Sequence, residues 1–256
     1  MKNLLFIGDV VGKAGCSFLR SKLSIIKRQY AVDVTIVNGE NSAQGNGITQ
    51  TSAESIINSG ADIITTGNHA FRRREAYDIF EMDHILRPAN YPEGGAPGKG
   101  ICTFDMGAYS ICVINLMGTA FMEDLDNPFT KIDELLPLTE TPNIFVDFHA
   151  EATSEKKAMG HYLTGKVTGV FGTHTHVQTA DEAILGGHTA YITDAGMTGP
   201  ENSCLGVENE QAINRFRYHM PVRFKEAEGD CFLCGVCVQF DEKCGKTHKI
   251  ERLIIR

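Results

Sequence analysis

The sequence lacks a long apolar segment. No stretch approaches the roughly 20 consecutive apolar residues that a membrane-spanning helix needs. Residues 1–8 also lack the extended apolar core of a signal peptide and pass directly into what looks like a β-strand. These absences predict a cytoplasmic protein that has no membrane partner.

Concentrated positive charge is lacking as well. The chain has 24 Lys and Arg against 32 Asp and Glu, which gives a formal net charge of −8, and its one basic cluster is Arg72–Arg74. Because the wrapping of long nucleic acids requires an extended positive surface, this composition argues against such a partner. The cluster itself is interpreted as a solvated helix face or as a local phosphate contact.

Internal repeats and low-complexity segments are absent, and the cysteines are scattered. Some of the eight cysteines lie in apolar runs such as residues 110–114, as buried thiols do in a reducing compartment. Cys231, Cys234 and Cys237 have a spacing seen in iron–sulfur and zinc sites. In a strand, however, Cys234 would point away from the other two, so packing is the favoured interpretation. We expect a single domain over residues 1–256.

The residues that are present alternate between strand, polar turn and helix. Three apolar runs are each followed by a turn and a helical segment, namely residues 2–8, 32–37 and 61–66. This order is typical of an α/β protein in which parallel strands are joined by crossover helices. Residues 101–116 look like an antiparallel pair, and the strand-like runs after residue 222 are assigned to a second sheet or its edge.

Metal-ligating residue types stand where the predicted strands end. They are Asp9, Glu40, Asn41, Asn68, His69, His149, His174 and His176. Each alone is typical of a helix cap, a turn or a core histidine. Because the carboxyl ends of strands in open α/β sheets line the ligand crevice, we expect the whole set to converge. Together they would leave unsatisfied polar groups in a shared cleft unless something occupied it.

The donor types in this set favour some metals over others. Carboxylate, amide and imidazole groups without thiolates suit manganese or iron better than structural zinc, although magnesium and zinc can also be accommodated. The set holds more donors than one tetrahedral ion needs, which predicts two divalent ions that share a bridging carboxylate. His174 and His176 are separated by one residue, so both rings would reach the same point from an extended segment.

The motifs around these residues resemble those of the calcineurin-like metallophosphoesterases and, more closely, the YmdB family of bacterial phosphodiesterases. The motifs occur in the expected order at residues 6–12, 38–41, 66–69, 172–176 and 193–200, with His149 between the third and the fourth. Val11 replaces a metal-binding His found in the wider superfamily, and Glu40 replaces its bridging Asp. Both departures are features of the YmdB-like branch.

This resemblance implies a four-layer αββα sandwich of two mixed β-sheets flanked by helices. It also implies a dinuclear centre. The ligands would be Asp9 and His176 on one ion and Asn68, His149 and His174 on the other, with Glu40 as the bridge and Asn41 beside the first ion or holding the attacking species.

The resulting mechanistic hypothesis is attack on phosphorus by a hydroxide held between two ions about 3.5–4 Å apart. His69 follows the ligand Asn68 and is the candidate general acid for the leaving oxygen. Because nearby metal disfavours an imidazolium, Asp194 or another carboxylate would have to offset that effect. A simpler role for Asp194 is to fix the turn at Gly196–Gly199.

The resemblance implies that small cyclic nucleotides, above all 2′,3′-cyclic monophosphates, are the substrates. The same site could serve a phosphomonoesterase or a nuclease. A different class is a metal-containing regulatory protein that acts through partners, but a general acid at His69 favours an enzyme. A homo-oligomer is compatible with the sequence. Residues 44–47 and 88–100 are interpreted either as loops over the cleft or as ordinary surface connections.

Overall fold

The computed structural model describes residues 1–256 and contains 13 strands and five α-helices. In chain order they are β1 (Lys2–Ile7), β2 (Asp9–Val10), α1 (Gly12–Gln29), β3 (Val34–Asn38), α2 (Gln50–Asn58), β4 (Ile63–Thr65), β5 (Ile101–Asp105), β6 (Ser110–Met117), α3 (Pro128–Leu135), β7 (Ile144–His149), α4 (Thr153–Tyr162), β8 (Gly169–Thr173), β9 (Ala183–Leu185), β10 (Thr189–Ile192), β11 (Met197–Pro200), α5 (Asn209–Tyr218), β12 (Cys231–Phe240) and β13 (Thr247–Ile255). Short 3-10 helices cover Arg74–Glu81 and Leu136–Leu138.

The first sheet has seven strands in the order β2-β11-β12-β1-β3-β4, with β13 paired to β12. β1, β3 and β4 are parallel, as the strand–turn–helix pattern predicts. The assignment of the C-terminal strands to a second sheet is wrong, because β12 lies inside this sheet and is antiparallel to β1. Its run of apolar residues suits a central strand whose two faces are both covered.

The second sheet has six strands in the order β5-β6-β7-β8-β10-β9. Its four central strands are parallel, and each edge strand is antiparallel to its neighbour. The antiparallel pair predicted at residues 101–116 is present as β5 and β6, where Ile101 stands opposite Ile114. Both sheets are therefore mixed.

Three apolar clusters separate four layers. Leu5 and Ile7 of β1 face α1 on one side of the first sheet, whereas Leu4 and Phe6 face the second sheet, as alternation along a strand requires. Phe6 and Phe171 meet between the sheets with ring centroids 4.8 Å apart. A third cluster covers the outer face of the second sheet with residues of α3 and α4. The predicted αββα sandwich is confirmed.

The helical segment that follows residues 61–66 is the 3-10 helix Arg74–Glu81 and not an α-helix. The helix α3 begins at Pro128 after an Asn127 cap. The helix α5 is not predicted by the pattern, because only Ala212 of its residues is buried and its apolar periodicity is weak. None of the helices combines the length and the apolar character needed to cross a membrane.

Candidate metal centre

The carboxyl ends of strands from both sheets supply the predicted ligands. Asp9 lies in β2 directly after β1, and residues 40–41 and 68–69 follow β3 and β4. His149 ends β7, and His174 and His176 follow β8. A continuous chain of contacts no longer than 3.6 Å joins all of them. The sandwich therefore brings residues that are up to 167 positions apart to one edge of the molecule.

Three ligand-type atoms surround the Nε2 atom of His149, whose side chain is fully buried. Its Nε2 atom lies 3.0 Å from Asn68 Oδ1, 3.1 Å from His174 Nδ1 and 3.2 Å from Glu40 Oε1. Glu40, His149 and His174 each offer one ligand atom, and these atoms all lie within 4.8 Å of one another.

In neutral His149 and His174, the contacts on the far side of each ring decide which ring nitrogen carries the hydrogen. His149 Nδ1 lies 2.9 Å from Thr173 Oγ1, whose own hydrogen is donated to Asp147 Oδ1 at 2.7 Å. Thr173 must then accept from Nδ1–H, so the Nε2 atom of neutral His149 presents a lone pair. His174 Nε2 lies 3.1 Å from Glu151 Oε2, which leaves the Nδ1 atom of that ring with a lone pair in the same way.

The donor set fits a divalent cation. In the neutral tautomers, His149 Nε2, His174 Nδ1, Glu40 Oε1 and Asn68 Oδ1 all direct lone pairs into the same small space. In those tautomers no hydrogen lies between them, so they repel one another unless a proton or a metal cation is placed among them. Mixed nitrogen and oxygen donors without thiolate suit a borderline divalent ion.

A second group, Asp9 and His176, is joined to Glu40 through Asn41. Asp9 Oδ1 is 3.6 Å from His176 Nε2. Asn41 directs its amide nitrogen into this group, 3.2 Å from His176 Nε2, 3.0 Å from Glu40 Oε1 and 3.5 Å from Asp9 Oδ1. An amide nitrogen donates hydrogen bonds and does not bind cations, so in this orientation Asn41 lies beside the group as a donor.

His69 lies at the border of the centre. Its backbone N–H donates to Glu40 Oε2 at 3.0 Å, and its Nδ1 atom is 2.9 Å from Asn41 Oδ1 and 3.3 Å from Glu40 Oε1. Because both neighbours of Nδ1 are oxygen acceptors, Nδ1 carries a hydrogen. The carboxylate near His69 is thus Glu40, whereas Asp194 pairs with Lys156 at 2.7 Å.

Charge within the centre is strongly coupled. Burial raises the pKa values of Asp9 and Glu40, but His176 and His149 respectively bring them below the ordinary carboxyl range. Burial lowers the pKa of His149, yet Glu40 and Asp9 raise it to about 9. The carboxylates therefore attract positive charge, and protons and metal cations compete for the same ring nitrogens.

The turn that carries His174 and His176 is strained, and a hydrogen bond to Asp194 holds it in place. His174 and His176 have φ values of +105° and +64°, a region that non-glycine residues seldom adopt. Thr175 between them donates its N–H to Asp194 Oδ2 at 3.0 Å, and the same oxygen accepts from the buried Lys156 Nζ. Asp194 Oδ1 accepts from the N–H of Gly196 at 2.9 Å.

Asp147 and Lys156 support the centre without being predicted from the sequence. Asp147 interrupts the apolar run of β7 two residues before His149, which is a usable signal for a buried polar role. Lys156 gives no such signal, because a lysine in a polar helix normally faces solvent. Residues 197–199, assigned to a turn from the sequence, instead form part of the strand β11.

The cysteines remain apart from the centre. All eight are free thiols. Within the strand β12, Cys237 packs on the side of α1, whereas Cys234 belongs to the opposite face by alternation. Burial raises the pKa values of the Cys234 and Cys237 thiols to about 11. Protonated thiols on opposite faces of one strand do not make an iron–sulfur or zinc site.

Comparison with known proteins identifies relatives over nearly the whole chain. A 2′,3′-cyclic-nucleotide 2′-phosphodiesterase of Bacillus subtilis (strain 168) is 49% identical over 98% of this chain and 96% of its own. A crystal structure of a novel phosphatase from Mycoplasma pneumoniae superposes with a TM-score of 0.94 at 35% identity, covering 99% of this chain and 93% of that one.

A hypothetical protein from Thermus thermophilus superposes with a TM-score of 0.93 at 38% identity, and the match covers 98% of both chains. The family profile described as YmdB-like protein matches residues 5–253. These limits include every strand end that supplies a ligand-type side chain. The chain therefore belongs to the YmdB-like protein family.

Proposed function

We propose that this protein hydrolyses small cyclic phosphodiesters, with 2′,3′-cyclic nucleoside monophosphates as the favoured substrates. It is an enzyme of phosphoric-ester hydrolysis, like the B. subtilis phosphodiesterase and the M. pneumoniae phosphatase that it resembles. The observation that carries the proposal is the set of three ligand-type atoms, Asn68 Oδ1, His174 Nδ1 and Glu40 Oε1, within 3.0–3.2 Å of His149 Nε2.

Two divalent cations, iron or manganese in preference to magnesium or zinc, complete the proposed site. Asp9 and His176 would hold one, Asn68, His149 and His174 the other, and Glu40 would bridge them. When bound, such ions neutralise charge on the phosphoryl oxygens and lower the pKa of water toward neutrality. The position of Glu40 supports the bridging role, because its Oε1 atom contacts both His149 Nε2 and Asn41 Nδ2.

His69 is the proposed proton donor to the leaving oxygen. Its Nδ1–H is engaged by Asn41 Oδ1 and Glu40 Oε1, so the ring can release a proton from Nε2 only when it is an imidazolium. General-acid assistance of this kind contributes about 10²–10⁴-fold to a rate.

Asn41 is proposed to orient the attacking water. In its observed orientation the amide nitrogen faces Asp9, Glu40 and His176, where it can donate a hydrogen bond to a water molecule among them. Rotation of the amide by 180° would instead offer Oδ1 as a ligand to the first ion. We also propose that the protein works in the cytoplasm, where its free thiols stay reduced.

The test is a substrate panel with protein loaded with Mn²⁺ or Fe²⁺. The panel contains 2′,3′-cyclic AMP, 3′,5′-cyclic AMP, a cyclic dinucleotide, a generic aryl phosphodiester and an aryl phosphomonoester. We expect the highest kcat/KM for 2′,3′-cyclic AMP. A higher value for the monoester would favour the phosphomonoesterase. Bound metal without hydrolysis of any substrate would favour the regulatory protein.

A further inference from the structure

A hollow of about 330 Å³ with largely aromatic walls is lined by Phe71, two residues after His69, and by residues of the segment 91–97. Phe71, Tyr77 and Tyr91 line it together with Pro92 and Pro97, and Glu93 at its rim is exposed. Its volume is at the lower end of the range for small-molecule sites. A larger hollow of about 640 Å³ lies between α1 and the C-terminus, and none of the predicted ligands lines it.

Two segments that form the aromatic hollow are hydrogen-bonded to Asn115 of β6. Asn115 accepts the N–H of Thr66 on its Oδ1 at 2.9 Å, directly before the turn that carries Asn68, His69 and Phe71. The carbonyl of Asn115 accepts the N–H of Ala89 at 2.7 Å, two residues before Tyr91. The turn that borders the metal centre and the rings of the hollow are thus held in one block.

Further contacts fix Tyr91 in that block. The neighbouring Asn90 is fully buried, and its side chain both donates to the carbonyl and accepts from the N–H of Met117. Burial, then Glu123 and Glu40, raise the pKa of Tyr91 to about 12.

The rings form a preformed stacking surface. Phe71 packs on the buried Phe80 with ring centroids 5.0 Å apart. The rings of Tyr77 and Tyr91 lie 5.5 and 5.1 Å from that of Phe71 and stand nearly perpendicular to it, at 83° and 82°. Tyr77 remains 39% exposed, so part of this cluster is open to solvent.

We propose that this hollow receives the base of a nucleotide whose phosphodiester lies at the metal centre, with Tyr91 and Tyr77 as the residues that stack on the base. This inference rests on the proposed function. Aromatic side chains stack on the π-face that every base shares. Because the lining offers few polar groups to read base edges, we expect KM values for the adenine, guanine, cytosine and uracil substrates to agree within about tenfold.

The test compares a substrate with a base and one without. Tyr91→Ala and Tyr77→Ala are assayed with 2′,3′-cyclic AMP and with glycerol 1,2-cyclic phosphate, which has the same five-membered cyclic diester. Loss of stacking should raise KM for 2′,3′-cyclic AMP by about 5- to 150-fold, with kcat little changed. Values for glycerol 1,2-cyclic phosphate should not move. Tyr91→Phe should restore the parent KM, and Tyr218→Ala, an exposed tyrosine on α5, is the matched control.

Binding of adenosine, measured by titration calorimetry, separates this inference from the proposed function. Adenosine should bind the parent protein and Tyr218→Ala but not Tyr91→Ala, whether or not any phosphodiester is hydrolysed. If adenosine binds all variants equally, or if Tyr91→Ala slows both cyclic esters alike, the base site is wrong while the phosphodiesterase can still stand. If adenosine binding depends on Tyr91 but no ester is hydrolysed, the base site stands and the proposed function fails.

Discussion

Thr173 shows how much of the centre depends on residues that would not touch a metal ion. Its hydroxyl accepts from His149 Nδ1 and donates to Asp147, whose other oxygen accepts from Thr65 and Asn38. This relay ties strands of both sheets together beneath the ligands. Burial raises the pKa of Asp147 to about 6, although the three hydrogen-bond donors and His149 oppose that rise.

Replacing the Thr173 hydroxyl should weaken metal binding. Thr173→Val keeps the shape but leaves His149 Nδ1–H without its acceptor, so we expect affinity for Mn²⁺ to fall by about 10- to 100-fold. Calorimetric titration measures it. The matched control is Thr35→Val, since the Thr35 hydroxyl is buried without a partner, and this variant should bind Mn²⁺ like the parent protein and be no less stable. Equal losses in both variants would rule out the relay.

His69 should be separable from the ligands. Because it contacts Glu40 and Asn41 but contributes no lone pair to the centre, His69→Ala should retain bound metal while kcat falls by about 10²–10⁴-fold. Metal analysis and steady-state kinetics with 2′,3′-cyclic AMP on the same preparation measure both quantities. Full activity in this variant would remove His69 from the acid role.

The ligand types were predictable and their supports were not. Asp9, His149 and the pair His174 and His176 stand next to strand ends, where sequence pattern and sheet geometry suffice to bring them together. Lys156 cannot be found in this way. Its burial depends on its contact with Asp194, which follows β10 and lies 38 positions further along the chain. The amide orientation of Asn41 is likewise set by its neighbours in space.

At the scale of elements, α4 and the turn after β8 form one unit. Lys156 of α4 and Asp194 are almost completely buried, with side-chain exposures of 1% and 0%. Their ion pair holds the N–H of Thr175 between the two histidines. A buried pair of this kind is costly to break, because the remaining charge has no other partner. The strained turn is thus maintained by a contact outside the ligand set.

Adjacent lysines allow a matched test of this unit. Lys156→Met leaves the Asp194 carboxylate buried without its cation and should lower the free energy of unfolding by about 3–5 kcal/mol. Lys157 pairs with Asp181 at the surface, so Lys157→Met should cost only about 0–1 kcal/mol. Urea denaturation measures both. Similar losses in the two variants would contradict a supporting role for Lys156.

Asp181, just before β9, should make the free energy of unfolding depend on pH. Burial raises its pKa, but hydrogen bonds from Thr193 and Thr179 and the contact with Lys157 bring it down to about 2, against 3.8 normally. The charged form therefore stabilises the folded state above about pH 4, and this contribution is lost as the pH falls from 4 toward 2.

The difference in unfolding free energy between the parent and Asp181→Asn should accordingly be constant above about pH 5 and shrink toward pH 2. Urea denaturation at pH values across this range measures it. A difference that does not depend on pH would show that Asp181 is not held in its charged form by these contacts.

At the scale of the whole molecule, the centre exists only where two sheets meet. Five ligand-bearing strand ends were predictable because parallel strands share an edge, but the arrangement of the two sheets followed from family resemblance and not from periodicity. The C-terminal strands were assigned to the wrong sheet because periodicity does not show how the sheets are arranged. A run such as Cys231–Phe240 indicates a strand buried on both faces but carries no information on which strand it pairs with.

Bound Mn²⁺ per chain, measured after equilibrium dialysis of the parent protein and of Glu40→Gln, tests the central claim most directly. Glu40 Oε1 contacts both His149 and Asn41, so the charge of this carboxylate should be needed for both ions. The account predicts two Mn²⁺ per chain in the parent and a loss of both in Glu40→Gln, with circular dichroism showing that the variant is folded. A parent that binds no Mn²⁺, or a variant that binds as many ions as the parent, would contradict it.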